Sequence, residues 1–306
     1  MVVRSRCRLV GVQRESPFSL DGSARHRRLS WKATFMLEKP QMARTAGSKL
    51  AEGAFSAWPL PPGPRAAAVA RAVVRSVFGE LNLPPETVDD AQTIISELAT
   101  NAVVHGDPES AEVWAYLSHH PSPRLNLKVF DAAPWRGSGA ADPAGIATPT
   151  ALITGEPASD AYGGRGLMLV NALTGEAGGC WGIHPTRRRL GPDPVPGKAV
   201  YFTVPLPELS AAAPPVPGPL PERLRELAEA RGLRSLVSLG EATVVHFGVG
   251  LWVWVKDRAL LCELPGRGLV RYPLSDTVEV VEQMVRLCEE GTADGAAPRV
   301  PSWDVS

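Results

Sequence analysis

Cysteine is scarce in this chain: Cys7, Cys180, Cys262 and Cys288 are the only four among 306 residues. They stand far apart, with no C-x-x-C pair, which argues against a zinc site or a disulfide framework and fits a reducing compartment. No apolar run approaches the roughly 20 residues that span a bilayer, so no membrane segment is expected. The N-terminus is basic but lacks the continuous apolar stretch of a secretory signal. An excess of one charge is also missing. Lys+Arg and Asp+Glu both number 32, so composition suggests neither direct nucleic-acid binding nor an anionic membrane surface. The expectation left standing is a cytoplasmic protein. At 44% hydrophobic, it has enough apolar material for a sizeable core, and its length allows two domains.

Proline (30) and glycine (29) are plentiful and cluster in particular stretches. Residues 1–57 are rich in Arg and Lys without sustained periodicity and read as a disordered basic segment. Met36 and Met42 are alternative candidate starts within it. Arg65 to Leu81 has the spacing of an amphipathic helix, ended by Asn82-Leu83-Pro84-Pro85, because proline cannot continue a helix. A second helix starts near Glu86 and stops at Gly106-Asp107-Pro108. Val88, Ala91, Ile95, Leu98 and Ala102 form its apolar stripe. Thr93, Glu97, Asn101 and His105 are each four residues apart and so share one face. A carboxylate one turn before a carboxamide suits a site that orients a water or hydroxyl and holds magnesium, which prefers oxygen ligands. On those residues alone, a solvated helix face is the simpler account.

Strand-like runs follow at Ala111 to Ser118 and Arg124 to Asp131. In the latter, Leu125, Leu127 and Val129 alternate with Asn126, Lys128 and Phe130. The loop between them holds His119 and His120 and reads as exposed. Residues 132–162 are loop-like, with a short possible helix near Thr148 to Thr154. They end at Gly163-Gly164-Arg165-Gly166, directly before the apolar run Leu167 to Val170. Glycines opening a helix let bare amides approach an anion, although most Gly-rich turns are only turns. Further strands are expected at Cys180 to Ile183 and Lys198 to Pro205. Arg187-Arg188-Arg189 to Pro196 reads as an exposed connection between them.

Residues 208–219 form a Pro/Ala linker. Beyond it, residues 220–290 read as a small α-β-β-β-α unit of unknown role. It comprises a helix at Leu220 to Arg231, three or four strands between Ser235 and Leu264, and a last helix starting at Ser275. Trp252 and Trp254 fall on one side of a strand, as core or as an exposed recognition surface. Residues 291–306 read as a frayed tail.

Three motifs stand in fixed order: E-L-A-T-N-A-V-V-H-G at Glu97 to Gly106, V-F-D-A-A-P at Val129 to Pro134, and G-G-R-G-L-M-L-V at Gly163 to Val170. Trp181-Gly182 and G-K-A-V-Y-F at Gly197 to Phe202 follow. Together these resemble the ATP-binding domain of the GHKL (Bergerat-fold) superfamily, and within it the anti-sigma-factor serine/threonine kinases of the RsbW type, over residues 58–207. The resemblance implies an α+β fold: a two-layer α/β sandwich with a mixed, mostly antiparallel sheet and helices on one face. It also implies ATP and magnesium as cofactors. Asn101 would bind magnesium and Glu97 would act as general base. Asp131 would accept from the adenine amino group. Gly164, Arg165, Gly166 and Leu167 would meet the phosphates, and residues 136–162 would form a lid over the nucleotide.

The implied partners are an anti-sigma antagonist as substrate and a sigma factor as target, with a homodimer as a further possibility. Two departures stand out. Alanines 132 and 133 follow Asp131, and Ala199 stands where relatives often place Thr or Ser beside the adenine. Losing that hydroxyl is expected to weaken binding by about 1 kcal/mol. No two-helix dimerisation unit with a phosphoacceptor His precedes the domain, which disfavours an autophosphorylating histidine kinase. The absence of a large transducer domain disfavours a chaperone or topoisomerase-like machine. The alternative to a kinase is a nucleotide-binding interaction module without phosphotransfer.

Overall fold

The computed structural model describes residues 50, 53–133, 164–207, 219–240, 242–247, 250–264 and 267–290. Most of the basic N-terminal segment, the stretch 136–162 expected to form a lid, the helix expected near Thr148, Gly163, the linker up to residue 218 and the tail at 291–306 lie outside the described residues.

The expected mixed α/β fold with antiparallel sheets is found. The first sheet contains β1 (Ser56–Pro59), β2 (Glu112–Ser118), β3 (Arg124–Asp131), β4 (Trp181–Arg187) and β5 (Pro196–Pro205), in the order β1-β2-β3-β5-β4 and antiparallel throughout. Helices α1 (Arg65–Leu81), α2 (Pro85–His105) and α3 (Gly164–Glu176) accompany it. Period-two alternation sends Val113, Ala115 and Leu117 of β2 and Leu125, Leu127 and Val129 of β3 into one core with the buried residues of α1 and α2. Asn82 ends α1 in a left-handed conformation (φ 51°), and Pro85 opens α2 at its first turn, where no amide donor is needed.

The fold starts earlier than the Trp58 boundary expected from sequence. Ser56 pairs with Ala115, and Phe55 stacks on Tyr116 and meets Trp114 edge-on. Composition does not reveal this, because the strand is only four residues long and its partners lie in β2, more than 50 residues on.

The second unit has five strands where three or four were expected. They are β6 (Ser235–Ser238), β7 (Thr243–Phe247), β8 (Leu251–Lys256), β9 (Ala259–Leu264) and β10 (Gly268–Pro273), each paired with the next in an antiparallel meander. Asp257 and Arg258, both at positive φ, make the tight β8–β9 turn. Strand β10 is mostly exposed and therefore shows no clean alternation. Trp254 is core, and Trp252 is half-buried against the ring of His246. Helices α4 (Leu220–Glu229) and α5 (Thr277–Glu289) complete the unit, with a 3₁₀ turn at Leu274–Asp276 in place of the expected Ser275 cap.

Helix α5 is buried on two sides. Val278, Val281, Met284 and Val285 pack into the second core. Its polar side meets the face of the first sheet that α1–α3 leave open. Glu279 accepts from the Tyr116 hydroxyl at 2.8 Å. Glu282 accepts from Arg231 Nε at 2.8 Å and from Arg189 at 3.2 Å. Arg231 is fully buried and also donates to Thr186 Oγ1 and to the carbonyls of Arg187 and Arg188. The arginine run 187–189, expected to be exposed, is instead ion-paired. Arg187 holds Glu289, Arg188 holds the buried Glu112, and Arg189 holds Glu282. His119 and His120, also expected to be exposed, give both backbone amides to the buried Asp276, which binds the His119 ring as well. These charges are inside because each found a partner; an unpaired one would cost several kcal/mol.

Arg231→Ala should destabilise the protein by about 3–5 kcal/mol by leaving Glu282 with Arg189 alone and the Arg187 and Arg188 carbonyls without this donor, and Arg231→Met with Glu282→Leu should recover much of it, as read by urea denaturation. Burial alone would raise the Glu282 carboxyl, but Arg231, Lys128 and Arg189 overcome it and hold it at about 2, against an ordinary 4.5. A depressed folded-state value gives stability that is complete above the unfolded value and is lost as pH falls. The stability gap between wild type and Glu282→Gln should therefore narrow as pH drops from 4.5 towards 2.

Candidate functional site

Helix α2 buries Ala91, Ile94, Ile95, Leu98, Ala99 and Ala102, which leaves Thr93, Glu97, Asn101 and His105 along its flank. Thr93 and His105 are exposed, and the Thr93 hydroxyl is spent on the Asp89 carbonyl. Glu97 and Asn101 are half-buried, and neither side chain is hydrogen-bonded among the described residues. The pattern read from sequence thus resolves into two available oxygen-bearing groups, one turn apart.

Helix α3 packs against α2 and opens at Gly164. Its first-turn amides, from Gly164 to Leu167, have no partner within the helix, and this end carries partial positive charge. Gly166 lies directly against Glu97: a Cβ built there would sit 2.6 Å from Glu97 Oε2. A side chain at 166 would push the Glu97 carboxylate aside. Leu167 is half-buried against the core of the helical layer, so it offers its backbone to the site rather than its side chain.

Asp131 ends β3 and is 2% exposed. Its Oδ1 accepts from Lys198 Nζ at 2.6 Å and from the Ala133 amide at 2.9 Å. The β3–β5 register sets Lys198 opposite it. The end of α2 closes on the same carboxylate, because a Cβ at Gly106 would lie 2.6 Å from Asp131 Cγ and 2.3 Å from the Ala102 carbonyl oxygen. Gly197 similarly abuts the Asp131 carbonyl. The three motifs, far apart in sequence, meet at two glycine contacts.

Ala199 requires a correction. It pairs with Phe130 across the strands and is buried with Phe130 and Trp114 on the sheet face away from α2. A hydroxyl there would not reach the Asp131 neighbourhood, so the expected weakening has no basis. The side chain beside Asp131 belongs to Lys198, which sequence reading passed over. A signal was available: alternation puts Lys198 on the same side as Val200 and Phe202, and an inward lysine needs an acidic partner. Ser110 was also missed; its hydroxyl accepts from the Ala132 amide and steadies the chain after Asp131.

The donor set is hard oxygen from Glu97 and Asn101, a buried carboxylate at Asp131 and a row of helix-start amides. It suits a divalent cation and an anionic ligand with a hydrogen-bonding base. A larger open depression of about 650 Å³ beside Glu229, Arg234 and His246 has no comparable set. Among the described residues no group of three or more His, Cys, Asp or Glu is placed to hold a metal. No helix among them is long and apolar enough to cross a membrane.

Residues 60–177 match the family described as "Histidine kinase-like ATPase domain". Among solved structures, the chain is similar to the histidine kinase domain from Erythrobacter litoralis EL346 blue-light activated histidine kinase, with 18% identity and a TM-score of 0.27. That similarity covers 45% of this chain and 61% of the other. No match is found among curated proteins.

Gly106→Ala and Gly166→Ala should separate in a urea melt. The first meets backbone oxygen and should cost about 1–3 kcal/mol. The second meets only the movable tip of Glu97 and should cost less than about 1 kcal/mol.

Proposed function

We propose that the histidine kinase-like ATPase domain carried by residues 60–177 binds ATP with magnesium and phosphorylates a serine or threonine on a small protein partner of the anti-sigma-antagonist kind. The phosphorylation state of that partner would decide whether this protein holds a sigma factor. The observation that carries the reading is Glu97 one turn before Asn101, with its carboxylate against Gly166 at the start of α3.

ATP supplies the terminal phosphoryl, and magnesium neutralises charge on it. The chain's residues do the rest. The Asn101 side-chain oxygen serves as a magnesium ligand. Glu97 accepts the proton of the incoming hydroxyl. The amides of Gly164, Arg165, Gly166 and Leu167 face phosphate oxygens at the helix start. Asp131 presents Oδ2 to the adenine amino group, while Lys198 and the Ala133 amide hold Oδ1 and fix the carboxylate's orientation.

A second reading is a nucleotide-binding interaction module without phosphotransfer. The second unit favours it, because helix α5 covers the open face of the first sheet and adds protein surface without adding a group to the Glu97 site. Two variants separate the readings. With labelled ATP and candidate partner proteins, Glu97→Ala should lower transfer by about 10²–10⁴-fold and leave calorimetric ATP affinity nearly unchanged. Asn101→Ala should instead weaken the magnesium-dependent part of ATP binding. Transfer that survives Glu97→Ala removes Glu97 from the chemistry. ATP binding without any labelled partner leaves the interaction module as the function.

A further inference from the structure

The face of the first sheet turned away from α2 contains a second polar cavity, of about 280 Å³, enclosed between β2–β5 and helix α5. It shares no residue with the site formed by Glu97, Asn101 and Asp131. Its centre is Lys128, whose side chain lies opposite in facing to Leu127 and Val129 and is 5% exposed. The Lys128 ammonium lies 3.2 Å from His184 Nε2 and near the rings of Tyr116 (5.2 Å) and Tyr201 (5.9 Å). His184 Nδ1 donates to the Pro185 carbonyl at 2.9 Å, which leaves Nε2 as the acceptor for lysine.

An ammonium has three donors, and here one is used. Among the described residues no carboxylate ion-pairs with it; Glu279 is bonded to Tyr116 and Gln283, and Glu282 to Arg231 and Arg189. A buried cation with two idle donors beside a polar cavity is costly unless something in the cavity accepts from it.

We propose that this cavity is a binding site for a small organic carboxylate, with its anionic group on Lys128 and its body between the Tyr116 and Tyr201 rings. The volume sits at the small end of ligand pockets, so it admits a metabolite-sized acid and excludes a nucleotide. Arg124, Arg267 and Arg286 line the cavity with Lys128, against Glu279 and Glu282, so the lining favours an anion. The two rings select against inorganic phosphate, which has no apolar body to place between them. The state of Lys128 agrees: burial lowers its pKa, and Glu282 and Glu279 only partly restore it. A bound carboxylate at contact distance would restore it further.

The test uses the full chain with selectively ¹³C-labelled lysine, so that the Lys128 Cε resonance is followed while sodium benzoate, sodium acetate or sodium phosphate is added at pH 7.5. The expected result is a saturable Lys128 shift with benzoate, at least tenfold weaker for phosphate, and unaffected by saturating ATP. Lys128→Met should lower benzoate affinity at least tenfold by calorimetry, and Tyr201→Phe, which keeps the ammonium, should change it by less than threefold. The proposal is overturned if neither carboxylate moves the wild-type Lys128 resonance saturably, if phosphate binds more tightly than benzoate, or if ATP displaces benzoate. The first of these outcomes is read on the wild type, so it holds even if the Met variant fails to fold. None bears on whether ATP binds at Asn101.

Discussion

Everything on the far side of the first sheet depends on one buried pair, Arg231 with Glu282. Arg231 reaches across from the end of α4 to the carboxylate of α5, to Thr186 and to the carbonyls of the arginine run, and its guanidinium lies 4.9 Å from the centre of the Trp114 ring. Without it, Glu282 loses its closest cation, and the carbonyls at Arg187 and Arg188 lose their donor. A pair of this kind adds little net stability over an apolar contact of equal volume, but it enforces register, since no shifted docking would satisfy so many groups at once. Glu112 does the same at the neighbouring edge, where it accepts from the Trp114 indole, Arg188, and the amides of Arg189 and Leu190.

The helical layer was largely legible because its signals are local. Pro84-Pro85 set a helix boundary, apolar spacing set the buried side of α2, and alternation set the facing of β3 and β5. The pairing of Glu97 with Asn101 followed from the helical repeat alone. What was not legible depends on partners distant in sequence. Arg187, Arg188 and Arg189 look like a solvated run until Glu289, Glu112 and Glu282 are brought to them from 102, 76 and 93 residues away. His119 looks like a loop residue until Asp276 arrives from 157 residues on. The misreading of Ala199 was of another kind: alternation puts it on the side of Tyr201 and Thr203, away from Val200 and Phe202, and motif similarity alone does not carry that facing.

Glycine has a specific role at the junctions of the first layer. Gly166 and Gly106 are where the second helix meets the other two motifs, and in both places an added methyl would overlap a neighbour. At Gly106 the close backbone and Lys198 together fix Asp131, whereas at Gly166 the Glu97 carboxylate stays free to move.

Strand β3 carries Lys128 on one side and ends in Asp131 on the other, so a single eight-residue element serves both the Lys128 cavity and the candidate site. This has a practical bearing on genetics. In a screen for loss of function, substitutions that loosen the far side of the sheet, at Glu112, Arg231 or Glu282, would be recovered alongside changes on the Glu97 flank of α2. A map of such alleles onto the chain would not outline one pocket. It would trace the sheet from both sides, and alleles would have to be sorted by whether the encoded protein still folds before any was assigned to the chemistry.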